Sequence, residues 1–397
     1  MSPLSMVWII ILCIILLCVG LLCSHTNILS PAVLTPTVWL FCLLLFLVLP
    51  HNLPPLTWQF KGALMLWMVL MCLSALCVQS LRCHRYDFQP DLTIRNMYLI
   101  VTVLTLPAFA VFIAHNMEAA QGDHWALNLR TAATGGSEDD AEVYGGLNVI
   151  VWQVTYMLEL FCLSRKSWWR ITIPALALLA FAFFTMSKWG FLSFFFSTIS
   201  VLYFKRKIGL RHILIGIVVL FGLFVIIQSL RYAVSTRQLD KSNFVVLYLL
   251  SSMSAFDTLL PASSLHWGEN TFRAFYSLCN QLGLSPIKPP TGILPFIEKP
   301  IETNTYTCMY PFFKDFGYWG VALFATIMGA LSGFIFKRAQ RGSGFYILLY
   351  AVCVNCLIMQ YANEMLMTSL FAYIKEWLLL LLPFIATKYH IFSHKTV

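Results

Sequence analysis

The sequence predicts an all-α, polytopic integral membrane protein, and three observations carry that prediction. Of the 397 residues, 59% are hydrophobic and 11% charged, with a mean hydropathy of +0.77, more apolar surface than a soluble domain of this size can bury. Eleven stretches approach or reach the roughly 20 apolar residues that a helix needs to cross about 30 Å of hydrocarbon. Runs such as "VWIIILCIILLCVGLLC", starting at Val7, show no two-residue alternation. A barrel is therefore disfavoured, and helices remain, because their backbone amides pair within their own segment.

Taken in order, the predicted spans are 5–23, 33–50, 62–79, 96–114, 146–163, 171–187, 189–204, 212–229, 317–336, 345–361 and 368–387. Between the fourth and fifth lies a polar, Gly-rich outer loop, 115–145, with the acidic run "SEDDAE" at 137–142. No His or Cys stands within ligand spacing of that run, so it reads as a solvated loop tip rather than a metal site. The largest non-spanning region, 230–316, precedes the last three spans. Its apolar piece "FVVLYLLSSM" (244–253) is too short to cross and reads as interfacial or re-entrant. Residues 1–397 thus form a single transmembrane domain with two substantial outer loops.

Orientation follows from Lys and Arg. The short loops 80–95, 164–170, 205–211 and 337–343 hold half of the 26 basic residues, which marks their side as cytoplasmic. The C-terminus falls on that side, and counting back places the N-terminus outside. No basic n-region or small-residue cleavage site argues for a removed signal peptide. The net charge of +9 is then mostly a topology signal, and no nucleic-acid partner is implied.

Most of the twelve cysteines lie in spans, where Cys acts as a small hydrophobe. "CVNC" at Cys353–Cys356 lacks the strand context or second ligand pair that redox or zinc chemistry needs. Cys279 and Cys308 both fall in the larger outer loop, where an oxidising compartment can join them. Arg231, Arg237 and Arg273 also lie there, and Lys188 sits between two apolar helices where no topological rule asks for a charge. Such cations either snorkel to lipid headgroups or form a pyrophosphate site, since Arg offers a planar fork for phosphate oxygens and Lys a point charge. Their clustering around one outer loop favours the second reading for the group.

The segment "NTYTCMYPFFKDFGYWGVALFATIMGALSGFIF", from Asn304, brings aromatic, hydroxyl and charged side chains to a helix entrance. Gly317 and Gly320 suit a backbone that turns inward, and Gly329 and Gly333 have the G-x-x-x-G spacing of a close helix contact. Asp315 reads as a cap at the positive end of a helix starting near Gly317. The aromatic residues read as an interfacial belt or as sugar-stacking surfaces.

This segment resembles the late part of bacterial oligosaccharide repeat-unit polymerases, the Wzy-type O-antigen and capsule polymerases, at Asn304, Thr305, Tyr306, Thr307, Asp315, Phe316, Gly317 and Gly320. Upstream, "FFTMSKWGFLSFFFSTISVLYFKRK" is similar to the family's helix pair with a Ser-Lys turn, here Ser187 and Lys188. Arg231 in "QSLRY" matches the Arg after the next helix. The resemblance implies a GT-C-like plan and a metal-independent glycosyltransferase without a cofactor, in the bacterial inner membrane with its active site facing the periplasm. The growing glycan on undecaprenyl pyrophosphate would be the donor and a fresh lipid-linked repeat unit the acceptor. Membrane lipids, a chain-length regulator and a flippase would be its partners.

Lys188, Arg231, Arg237 and Arg273 would then hold pyrophosphate, and Tyr306 and Tyr310 would stack on sugar. The base would come from Asp257, His266 or Glu269 in "SAFDTLLPASSLHWGEN"; the ordinary pKa of His, near 6.5, matches best. An O-antigen ligase shares the plan and the donor. A flippase would show internal half-repeats and more charge inside its spans than Glu159, Lys375 and Glu376.

Overall fold

The structure is a computed structural model that describes residues 4–24, 26–82, 89–122, 125–134, 146–163, 168–232, 249–290, 294–295, 297 and 303–389. In chain order its helices are α1 (Leu4–Cys23), α2 (Pro31–Val48), α3 (Trp58–Ser80), α4 (Leu92–Ala119), α5 (Trp125–Thr134), α6 (Gly146–Phe161) and α7 (Trp169–Phe184). There follow α8 (Lys188–Phe204), α9 (Leu210–Tyr232), α10 (Ser251–Phe256), α11 (Arg273–Gln281), α12 (Tyr310–Gln340), α13 (Gly344–Ile358, extended by a 3-10 turn to Tyr361) and α14 (Leu370–Lys388). Extended pairing among the described residues is limited to an isolated antiparallel bridge between Ile297 and Thr303.

Among the described residues, seven helices are long and apolar enough to cross a membrane: α1 to α4, α12, α13 with its extension, and α14. Four shorter apolar helices, α6 to α9, occupy the remaining predicted spans. Two helices lie where the sequence suggests only loop, α5 in 115–145 and α11 in 230–316, and α10 overlaps the end of the apolar piece 244–253 read as interfacial or re-entrant. The span predicted from 317 begins at Tyr310. Gly317, at φ 61 and ψ −146, bends this helix rather than starting it, in a conformation that only Gly adopts without strain. The acidic run 137–142, Arg237 and residues 244–248 lie outside the described residues.

The chain divides into two compact units. The first comprises Met1–Cys83, Leu239–Lys337 and Cys356–Phe371. Its core runs along α3, where Phe60, Leu64, Trp67, Met68 and Met71 are buried. A stack of near-parallel rings continues it: Trp67 on Phe312 (centroids 5.9 Å apart) and Phe312 on Phe324 (4.3 Å). The predicted G-x-x-x-G contact is real, and α3 is its partner. A Cβ on Gly329 would lie 2.4 Å from Met71 O, and one on Gly333 would lie 2.6 Å from Ala75 O, so the helices meet backbone to backbone.

One buried amide ties this unit together. Gln360 Oε1 accepts from Trp67 Nε1 (2.9 Å) and Trp39 Nε1 (3.3 Å), while its Nε2 donates to Thr35 Oγ1 (3.0 Å) and Leu357 O (2.9 Å). Its backbone oxygen accepts from Cys308 N (2.8 Å). Every polar atom of the side chain is thus paired, as a buried amide requires.

The second unit comprises His84–Gln238, Arg338–Asn355 and Ala372–Val397. Asp91 caps α4 through Thr93 N and Ile94 N, and Ser187 caps α8 through Gly190 N. Between α7 and α8 the chain reverses within a few residues, with Met186 at φ 48. A Cβ on Gly190 would lie 2.8 Å from that of Ala182. Polar side chains cross-link the helices: Gln153 Nε2 donates to Ser193 Oγ (3.0 Å), Asn355 Nδ2 to the same oxygen (3.3 Å) and Trp152 Nε1 to Thr105 Oγ1 (2.8 Å). Glu159, at the end of α6, receives Arg95 at 2.7 Å and a two-pronged contact from Arg170, both at 2.9 Å. Two of the basic loop residues that mark orientation are therefore also paired to a buried carboxylate.

Candidate active site

The polar layer of the first unit is built where residues 257–272 lace onto the first turns of α12. Ala262 N donates to Phe313 O (3.1 Å), Ser263 N to Lys314 O (2.8 Å) and Thr271 Oγ1 to Pro311 O (3.2 Å). Asp315 is the centre of this lacing. Its carboxylate accepts from Ser264 Oγ, Asn270 Nδ2 (2.7 Å), Asn270 N (3.4 Å) and Thr271 N (2.6 Å). It lies inside α12 before the bend, so it does not cap a helix starting at Gly317 as the sequence suggests. It holds a loop instead.

Of the three residues expected to supply a base, the side chains of Asp257 and Glu269 have structural partners. Asp257 accepts from Thr57 N (2.7 Å), Thr57 Oγ1 (2.6 Å) and Phe60 N (3.0 Å), a carboxylate placed on the positive end of α3. Glu269 accepts from Leu265 N (3.0 Å) and His266 N (3.2 Å), closing the turn that carries His266. Beside this turn Trp267 is exposed, its ring packed on Phe272 and Phe316.

Tyr306 and Tyr310 pack against each other at 4.7 Å and are 2% and 3% exposed. Tyr306 donates its hydroxyl to Pro295 O (3.1 Å), and burial pushes its pKa up to about 12. No ring face of Tyr306 is open to a sugar, so stacking there is replaced by packing. The Tyr310 hydroxyl accepts from Lys314 Nζ (3.1 Å). Cys279 and Cys308 are both free thiols, the latter buried.

A small cleft opens in this layer, lined by Asn270, Arg273, Pro290, Leu294, Tyr310, Pro311, Asn363 and Thr368, with a volume of about 20 Å³. Arg273, the first residue of α11, donates Nε to Pro290 O (2.7 Å). No carboxylate pairs with it among the described residues, and burial holds its pKa below the usual guanidinium value. A cation desolvated in this way attracts an incoming anion more strongly than an exposed one. The cleft thus joins two predicted site residues, Arg273 and Tyr310. Lys188 and Arg231 belong to the second unit, at the first position of α8 and in the last turn of α9; their side chains lie outside the described residues.

The cleft's fourth wall was not legible in the sequence. Asn363 and Thr368 come from the turn between α13 and α14, which Glu364 closes. Its carboxylate accepts from Met367 N (2.9 Å), Thr368 N (2.8 Å) and Thr368 Oγ1 (2.9 Å). Glu364 is 3% exposed, and burial raises its pKa against the pull of these donors. The one available signal was a lone carboxylate in "QYANEMLMTS", between two apolar spans.

No curated relative and no solved structure matches the chain. The model of the O-antigen polymerase family matches residues 144–374, more than half of the sequence. That match includes α11, the bend of α12 and the Glu364 turn. With its many apolar helices and this match over more than half of its length, the chain belongs to the O-antigen polymerase family.

Proposed function

We propose that the protein polymerises undecaprenyl-pyrophosphate-linked oligosaccharide repeat units in the inner membrane, at its periplasmic face. The growing glycan passes from its lipid pyrophosphate to a hydroxyl of a new lipid-linked unit. The observation that carries this reading is the family match over 144–374, which contains the cleft with its half-buried Arg273, paired to no carboxylate among the described residues. Glycosyl transfer from a pyrophosphate needs positive charge where the leaving group gathers negative charge, and Arg273 provides a fork of donors for it. Lys188, Arg231 and Arg237 are further candidate pyrophosphate-binding cations, each to be tried by substitution.

The surface glycan of a deletion strain tests the reading. A single repeat unit on lipid A core, restored to a ladder by the wild-type gene, is expected; complete loss of repeat units would point to a ligase or flippase instead. In the same strain Arg273→Lys, which keeps charge but loses the fork, should cut chain elongation by about tenfold or more without lowering the amount of membrane protein. A normal ladder from Arg273→Lys would remove it from the site.

A further inference from the structure

Asp257 and Glu269 hold backbone N–H groups, and neither they nor His266 lines the Arg273 cleft, so an acceptor hydroxyl in the cleft needs another destination for its proton. Thr368 lines the Arg273 cleft, and its Oγ1 donates to Glu364 Oε2 at 2.9 Å. Its lone pairs are left for whatever enters the cleft. A volume of about 20 Å³ admits a water-sized group such as a sugar hydroxyl. Asn363, on the same wall, makes no side-chain hydrogen bond among the described residues, so its amide is available to orient that hydroxyl.

We propose that Thr368 and Glu364 form the proton path of the transfer, Thr368 as the catalytic residue that touches the acceptor hydroxyl and Glu364 as the carboxylate that receives the proton through it. This rests on the polymerase reading. The acceptor oxygen bonds to the donor's anomeric carbon as the bond from that carbon to the pyrophosphate oxygen breaks. Lipid pyrophosphate departs with the electron pair, beside Arg273. The acceptor proton moves to Thr368 Oγ1 while the proton of Thr368 moves to Glu364 Oε2, so atoms and charge balance.

The geometry fixes the Glu364 end of the relay. Backbone N–H groups of Met367 and Thr368 hold both Glu364 oxygens, so the carboxylate cannot swing away. Burial raises its pKa, so the ionised carboxylate binds a received proton more firmly than an exposed one. The titratable group facing it is the Cys308 thiol, ahead of α12, which burial raises well above its ordinary value and so keeps neutral.

The test uses full-length protein in proteoliposomes, with the lipid-linked repeat unit isolated from the deletion strain as the probe. T368V, which keeps shape without the hydroxyl, should lower kcat by about 100-fold or more while KM and folded yield stay near wild type; E364Q should lower kcat as far in the protein that folds, at reduced yield, because its NH2 faces a backbone N–H donor. T368S should retain most of the rate. The wild-type rate should rise with pH as Glu364 ionises, and this rise should be missing in E364Q. Should E364Q fail to accumulate, the T368V and T368S pair decides. Wild-type kinetics in T368V overturns the relay alone, whereas wild-type protein that forms no polymer overturns the polymerase reading itself.

Discussion

Replacing one oxygen of a buried carboxylate with an NH2 group reverses the sense of a hydrogen bond, and Asp315 is where that reversal has most to disturb. Oδ1 accepts from Ser264 and twice from Asn270, while Oδ2 accepts from Thr271. In Asp315→Asn, whichever way the amide turns, its NH2 faces at least one N–H donor. The expected cost is about 1–3 kcal/mol, seen as less monodisperse protein after extraction in mild detergent, with activity falling in proportion. Full yield with abolished elongation would instead give the carboxylate a chemical role. The polarity of this segment was legible from "NTYTCMYPFFKDFGYWG"; its partners were not. Asp257 and Thr57 are 200 residues apart, and no local spacing reveals that a carboxylate so remote will cap α3.

At the scale of elements, α12 makes its closest approach to α3 through Gly329 and Gly333. A branched side chain there meets main chain, which cannot rotate aside. Gly329→Leu and Gly333→Leu should each destabilise the first unit by about 1–3 kcal/mol or more, read as a lower unfolding temperature in detergent. An unchanged temperature for both would mean that the helices are not apposed at these positions. The spacing of these glycines announced a contact because backbone approach needs a small residue every helical turn. The α12 start was misplaced because glycine reads equally as an entrance or a bend, and only φ separates the two. Helices α5 and α11 escaped notice for a related reason. Each is too short for periodicity to stand out, and their stability comes from the chain packed around them.

For the whole molecule, the sequence made the membrane class, the approximate positions of the apolar helices and the family legible, since each rests on composition or local pattern. The cleft was half legible. Arg273 and Tyr310 stood out by residue type, while Asn363, Glu364 and Thr368 lay in a short turn with no motif, brought alongside by the fold. The alternation of basic loops makes one claim at this scale. Lys207→Cys and Ser263→Cys, each in a Cys-depleted background, should label from opposite sides with an impermeant thiol reagent. Labelling of both from the same side would refute the proposed topology.

The Gln360 amide also has a bearing on how the protein is made. Its partners Trp39 and Trp67 lie 321 and 293 residues earlier in the chain, so both indoles leave the ribosome long before the group that pairs with them. During that interval α2 and α3 sit in hydrocarbon with polar N–H groups lacking their final acceptor. The first unit therefore cannot reach its mature state by growing outward from the N-terminus. It is completed late, when the turn after α13 arrives, and a nascent chain stalled before that point would hold its first three helices in a provisional arrangement exposed to membrane quality control.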